Sequence, residues 1–345
     1  MKTTFLKTSG ILLFFILGLG FILAGCKKET PPPQKLTAKE KAFLSPPDVV
    51  TGKLEKIKIS KMDIPEGSLK AYITREMEQL NRHFVKQSQI ILADRPFKII
   101  LGFHPEREFF LYDIKKRFRP YWSGSRSLYS YHKIDDTFYE FMLIADGTKI
   151  AARPYKGELG IIKVGKGGRM LEKAEFCGSF TKEGSIAVPV GAITKENWSA
   201  VTECAVPVGD YTTVRLHVTY DNLLIRISNN PYPNKQKQFR PKDIVYSMQV
   251  RGDKPCVLDF SNEPKVMFIE PGNDKTMFKR GEEIKFAAVL IDPKLDILVR
   301  GLYDTSIQAD KAISGNDTSY KTFDPNVVIT RANGKVVAEG VMPFG

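Results

Sequence analysis

The sequence predicts a mainly β chain with a small α+β N-terminal part: tandem β-sandwich-like domains on a flexible tether. Three observations predict it. Only one stretch keeps a helical apolar repeat over several turns. From residue 137 onward, short β-rich runs recur between turn signals. Residues 26–50 are rich in proline and charge and hold little to bury.

The elements follow in order. Pro31, Pro32 and Pro33 stiffen the tether and Pro46-Pro47 closes it. Residues 51–136 read as the α+β domain. Leu54, Ile57 and Ile59 mark a short strand. Leu69, Tyr72, Ile73, Met77, Leu80 and Phe84 then recur at spacings of 3, 1, 4, 3 and 4, one face of a helix. Ser68 can cap its start, and Glu78 with Arg82 adds an i,i+4 pair. Gln89–Leu92 and Phe97–Phe103 flank Asp94-Arg95-Pro96 as a hairpin.

Residues 137–262 read as a β-rich domain. Phe138–Ile144 and Lys149–Tyr155 flank Asp146-Gly147, a hairpin signal. Leu159–Val164, Ser185–Val190 and Ala200–Val206 are further strands. Thr212–Tyr220 and Leu223–Ser228 flank Asp221-Asn222 as a second hairpin. Residues 263–345 form a third unit, with strands over Lys265–Ile269, Glu283–Ile291, Leu295–Leu302, Asn326–Arg331 and Lys335–Val341. Asn333-Gly334 turns between the last two. The pattern resembles, in architecture, the immunoglobulin-like or fibronectin-like sandwiches of bacterial surface proteins. It lacks the Cys-Trp-Cys core of a true immunoglobulin domain. Either Asp304 to Phe323 holds a further strand, or the last strand is missing and can come from another chain.

The N-terminus carries the most specific motif. Lys2 and Lys7 precede an apolar run, Ile11–Leu23, interrupted only by glycine. The run is shorter than the ~20 residues of a membrane span and fits the apolar core of a signal peptide. It ends in Leu23-Ala24-Gly25-Cys26. These residues resemble the lipobox of bacterial lipoproteins. The resemblance covers the first 26 residues. It implies cleavage before Cys26, a diacylglycerol on its sulfur and an acylated amino terminus, so the partner is a lipid bilayer. Several acyl chains, at about 0.8 kcal/mol per buried CH₂, give stable anchoring. Lys27, where an aspartate would retain the chain at the inner membrane, implies outer-membrane delivery in a cell that has one.

The 345 residues carry 52 Lys and Arg against 39 Asp and Glu, a formal +13. Loss of residues 1–25 removes Lys2 and Lys7 and leaves about +11. Such a surplus draws a tethered body toward anionic headgroups or anionic wall polymers, though a solvated surface explains it as well. Export argues against nucleic acid as a partner. Cys177, Cys204 and Cys256 stand in the mature body. Three pairings are open, and the expected one joins Cys177 to Cys204, the shortest loop.

Catalytic signatures are scarce. Ser130-Tyr131-His132-Lys133 and Ser179-Phe180-Thr181-Lys182 spell Ser-x-x-Lys, but neither opens a helix, and no Lys-Thr-Gly or Ser-Asp-Asn accompanies them. His83, His104, His132 and His217 are scattered, without a zinc spacing. Asp292, Asp296, Asp304, Asp310, Asp317 and Asp324 cluster in the last unit, where turn chemistry accounts for them better than calcium. Arg251-Gly252-Asp253 spells an adhesion tripeptide within a turn. We expect no metal, no cofactor and no catalysis.

The most distinctive segment is 115–133. Lys116, Arg117, Arg119 and Arg126 alternate with Tyr121, Trp122, Tyr129 and Tyr131. Flat aromatics beside cations can stack on sugar rings and pair with acidic groups. The competing account is a loop whose aromatics pack back onto the domain. The function expected is a non-catalytic, membrane-anchored envelope lipoprotein, structural or binding. An acidic polysaccharide, a cell-wall polymer or an envelope protein is its partner. An enzyme with an unfamiliar, loop-built site is the alternative class.

Overall fold

The computed structural model describes residues 35–64, 68–104, 108–114, 127–166, 170–183, 186–193, 198–230, 248–271, 277–308 and 320–343. Cys26 and the segment 115–126 lie outside these.

Helix α1, Ala38–Leu44, stands within the stretch expected to be tether. Its start is a capping box: Thr37 accepts from Glu40 N, and Glu40 accepts from Thr37 N. Phe43 is buried against Ile144 and Ala151. The expected 26–50 tether therefore yields its second half to the fold, because one capping box and one aromatic suffice to dock seven residues.

The first sandwich contains β1 Val50–Lys53, β2 Glu55–Lys58, β3 Phe84–Leu92, β4 Arg95–Leu101, β5 Phe109–Asp113, β6 His132–Ile134, β7 Thr137–Ile144 and β8 Lys149–Pro154. One sheet has the order β1-β8-β7-β6, the other β2-β3-β4-β5. Their inner faces meet through Ile90, Leu92, Ile99, Leu111, Phe141 and Ile150. Helix α2, Ser68–Gln79, buries Ile73 and Met77 on the outer face of the second sheet, against Val85, Ile100 and Phe110. The sandwich is thus capped by a helix on each side. The helix ends earlier than its apolar repeat implies. Leu80 and Phe84, expected on the buried stripe, are about half exposed, and Phe84 opens β3.

The hairpins form where expected, but their turns start one residue earlier. Ala93 and Asp94 take positive φ with Arg95 and Pro96 already in β4, and Ala145, Asp146 and Gly147 take positive φ between β7 and β8. The boundary expected at 136/137 falls inside a hairpin, since His132 pairs with Tyr139. The first sandwich runs on to Pro154.

The second body contains β9 Leu159–Val164, β10 Ala174–Lys182, β11 Ile186–Val190, β12 Ala192–Ile193, β13 Trp198–Ser199, β14 Glu203–Pro207, β15 Gly209–Tyr220, β16 Leu223–Asn229, β17 Met248–Val250, β18 Cys256–Leu258, β19 Lys265–Glu270, β20 Ala287–Asp292, β21 Ile297–Gln308 and β22 Tyr320–Thr322. A nine-stranded sheet runs β11-β10-β15-β16-β21-β20-β19, with β17 and β22 paired at its margins. A three-stranded sheet, β14-β9-β18, covers part of one face. Phe176, Phe180, Tyr211, Leu216 and Val218 from the large sheet pack with Ile162, Val206 and Leu258 from the small one. Gly178 has φ +144 and sits against the Arg215 carbonyl, beside the bulge at Ser179/Phe180.

Strand pairing also crosses the boundary expected at 262/263. Leu223–Asn229 pairs antiparallel with Ile297–Asp304. The strands after residue 263 therefore extend an existing sheet rather than close a separate immunoglobulin-like sandwich. β22 lies in the stretch expected to hold a further strand. A last hairpin, β23 Asn326–Thr330 with β24 Val336–Val341, forms its own two-stranded ladder and is largely exposed.

Candidate binding surface

Of the residues expected to bind an acidic polymer, Lys116, Arg117, Arg119, Tyr121, Trp122 and Arg126 lie outside the described residues. Tyr129 and Tyr131 are described, and the fold separates them. Tyr129 is 56% exposed. Tyr131 is buried: its ring meets Tyr155 at 5.1 Å and Phe138 at 6.2 Å, edge on, with Lys182 Nζ 5.9 Å away. That burial pushes its phenol far above the usual tyrosine range, so it stays neutral. Tyr131 is a packing residue of the junction between the two bodies and does not form a stacking platform. Its N–H bonds the Ala187 carbonyl at 3.1 Å, and Ala187 N donates to Ser130 Oγ at 3.3 Å.

His132, next along, is fully enclosed. Its ring lies 4.6 Å from Phe109 and 5.1 Å from Phe141, and Nε2 meets the Ser127 carbonyl at 3.0 Å. Burial pushes its pKa down to about 4. A neutral imidazole whose Nε2 bonds a backbone carbonyl is held for packing. Lys133 is buried too, with Nζ 3.8 Å from Cys204 Sγ and 3.9 Å from Asp136 Oδ1. The sequence Ser130 to Lys133 thus stitches two bodies together instead of opening a catalytic helix. Ser179 and Lys182 both lie in strand β10, three positions apart and so on opposite faces.

All three cysteines of the body are thiols. The expected Cys177–Cys204 bridge is not formed. Cys177 pairs across the large sheet with His217, whereas Cys204 sits on the small sheet opposite Ile162. Cys256 is also opposite Ile162, on its other side. Cys204 and Cys256 are therefore two strand spacings apart, about 10 Å, beyond the reach of a disulfide. Burial raises the thiol pKa of Cys177 and Cys256.

The acidic residues of the last unit serve turns. Asp292 accepts from Lys294 N at 2.9 Å and Leu295 N at 3.0 Å. Asp304 accepts from the Ser306 side chain and amide, which hold its carboxyl below the usual range. Asp324 accepts from Thr322 Oγ1. Asp310 and Asp317 lie outside the described residues. Arg251 of the Arg-Gly-Asp tripeptide donates to Asp210 at 2.8 Å and to the Gly209 carbonyl. Among the described residues, no group of three or more His, Cys, Asp or Glu is placed to hold a metal ion, and no helix is long and apolar enough to cross a membrane.

One concavity accompanies these residues. A hollow of about 580 Å³ opens on the α2 side of the β2–β5 sheet, lined by Asp63, Ile64, Gln89, Pro96, Lys98, Tyr112 and Ile114. Lys98 and Asp63 form an ion pair across it. It was not foreseen from the sequence, because its lining comes from strands and a turn far apart in the chain. It offers apolar walls and one paired charge, without a nucleophile beside a base.

No family model, no curated protein and no solved structure matches this chain.

Proposed function

We propose that this protein is a lipid-anchored envelope lipoprotein whose β framework acts as a non-catalytic scaffold or binding module. The observation that carries the reading is Leu23-Ala24-Gly25-Cys26 at the end of an apolar leader, ten residues before Leu36, the first packed side chain among the described residues. The chemistry of the body supports it. Tyr131, His132 and Lys133 are spent on packing, and the aspartates on turns. The hollow beside Lys98 offers shape and apolar contact and one paired charge.

The test is the chemistry of Cys26. Mass spectrometry of the N-terminal peptide from membranes is expected to show cleavage before Cys26 and added acyl mass. Cys26→Ser, placed behind a leader that is cleaved without lipidation, is expected to release the protein from the membrane fraction. An unmodified Cys26 in the membrane-bound protein overturns the reading.

A further inference from the structure

One end of the first sandwich gathers the features of a bilayer-facing surface. The register places the ends of several strands there. Lys58 pairs with Phe84, and Lys86 with Leu101, so the loop after β4 begins beside the start of β3. Phe103, in that loop, is 67% exposed, and Phe84 is 45% exposed. Each carries a cation: Arg82 lies 4.4 Å from the Phe103 centroid, and Lys56 Nζ lies 4.7 Å from that of Phe84. Leu80, also exposed, lies just before Arg82 in the chain. Aromatic rings with basic neighbours suit the headgroup zone, where the ring enters the acyl boundary and the cation meets phosphate.

The chain arrives at this same end. Lys86 Nζ donates to the Gly147 carbonyl at 2.7 Å, which fixes the β7–β8 turn beside β3. From that turn Ala145 N donates to Glu40 Oε1 at 2.8 Å. Glu40 is the capping partner of Thr37, at the start of α1. Two hydrogen bonds therefore link the first turn of α1 to the strand that presents Phe84. From Cys26 to Lys35 there are nine residue steps. Even fully extended, at about 3.3–3.6 Å each, they reach roughly 30 Å. A lipid at Cys26 keeps Lys35, two residues before Thr37, within that distance of the headgroups.

We propose that the end bearing Phe84, Phe103, Lys56, Lys58 and Arg82 rests on an anionic lipid bilayer. This rests on the anchored reading above and adds an orientation to it. Among the described residues, Glu40, Glu55, Glu78, Glu108 and Asp146 are acidic side chains near this end. Glu40 is held by the Thr37 and Ala145 amides, Glu108 by that of His104 at 3.2 Å, and Glu55 meets Lys53 at 3.6 Å, so the charge presented beside the two exposed rings is that of Lys56, Lys58 and Arg82. The attraction is therefore expected to vanish in zwitterionic lipid and to weaken with salt.

The experiment uses the full lipoprotein carrying Phe103→Trp, reconstituted into phosphatidylcholine vesicles or phosphatidylcholine/phosphatidylglycerol vesicles with brominated acyl chains. The unsubstituted chain supplies the background from Trp122 and Trp198. The expected result is a blue-shifted, bromine-quenched emission in phosphatidylglycerol vesicles, lost when Lys56→Glu and Lys58→Glu are added. Emission that stays water-exposed in anionic vesicles, with Cys26 shown by mass to be acylated, overturns the orientation and leaves the anchored reading standing. If Cys26 is unmodified, the anchored reading fails by itself. Quenching after addition of the chain to preformed anionic vesicles then upholds the contact, and its absence refutes it.

Discussion

The backbone N–H of Tyr131 bonds the carbonyl of Ala187 at 3.1 Å, across the seam between the two β bodies. The residue just before β6 in the first sandwich is thereby tied to β11 at the edge of the second body's large sheet. The Tyr131 ring sits in the seam with Tyr155 and Phe138. A segment that reads as a ligand platform in sequence is, at this residue, the weld.

Tyr131→Ala is accordingly expected to destabilise the protein by about 3–5 kcal/mol, the range for deleting a buried aromatic ring. Tyr129→Ala, at an exposed position, is expected to stay within about 0.5 kcal/mol. Urea unfolding of the two variants checks this. Glycan pulldown with Tyr121→Ala/Trp122→Ala tests polymer binding separately. Equal retention by wild type and variant would remove that role.

His132 makes stability depend on acid. Its folded-state pKa is depressed from about 6.5 to about 4 by burial, so the unfolded chain binds the proton more readily. The stabilisation is fully present above about pH 6.5 and is lost as the pH falls toward 4, up to roughly 3 kcal/mol. His132→Phe keeps an aromatic between Phe109 and Phe141 and removes the proton site. Its unfolding free energy should fall less than that of wild type between pH 6.5 and 4. Parallel curves would refute the assignment.

The body should contain no disulfide. Alkylation of unreduced, denatured protein, read by mass spectrometry, is expected to modify Cys177, Cys204 and Cys256 alike. In the folded protein all three should react slowly, Cys204 because it is buried, Cys177 and Cys256 because burial holds their thiols protonated.

Two glycines should separate cleanly. A Cβ at Gly178 would lie 2.3 Å from the Arg215 carbonyl oxygen, at a φ that side chains rarely adopt. Gly178→Ala is expected to cost about 2 kcal/mol or more, from steric strain between backbones. Gly340, on the exposed hairpin, has nothing within 4 Å, and Gly340→Ala should change thermal unfolding little.

Much of the local structure was legible in the sequence, and the long-range structure was not. Asp146-Gly147, Asp221-Asn222 and Asn333-Gly334 announced their hairpins because Asp146, Gly147, Asp221 and Gly334 take φ > 0, which favours those residue types. The repeat around Ile73 and Met77 announced α2. β5, Phe109–Asp113, gave no alternation to read, since it is buried on both faces between α2 and the opposite sheet. β10 also went unread, its pattern blurred by Cys177-Gly178-Ser179. Nothing local in Leu223–Asn229 states that its partner is 297–308, so the units were divided where the sheet in fact continues. At the candidate site, residue types gave Tyr129 and Tyr131 equal weight. Only the neighbouring Tyr155, Phe138 and Ala187 distinguish them.

The capping box at Thr37 and Glu40 has a mechanical consequence. A pull on the N-terminal side of the chain meets α1 before it meets β1. The helix is held by Phe43, its flanking apolar side chains and one bond from Ala145, so it is the fuse in the load path. Unwinding its seven residues, from about 1.5 to about 3.4 Å each, pays out roughly 13 Å of slack while β1 stays zipped to β8.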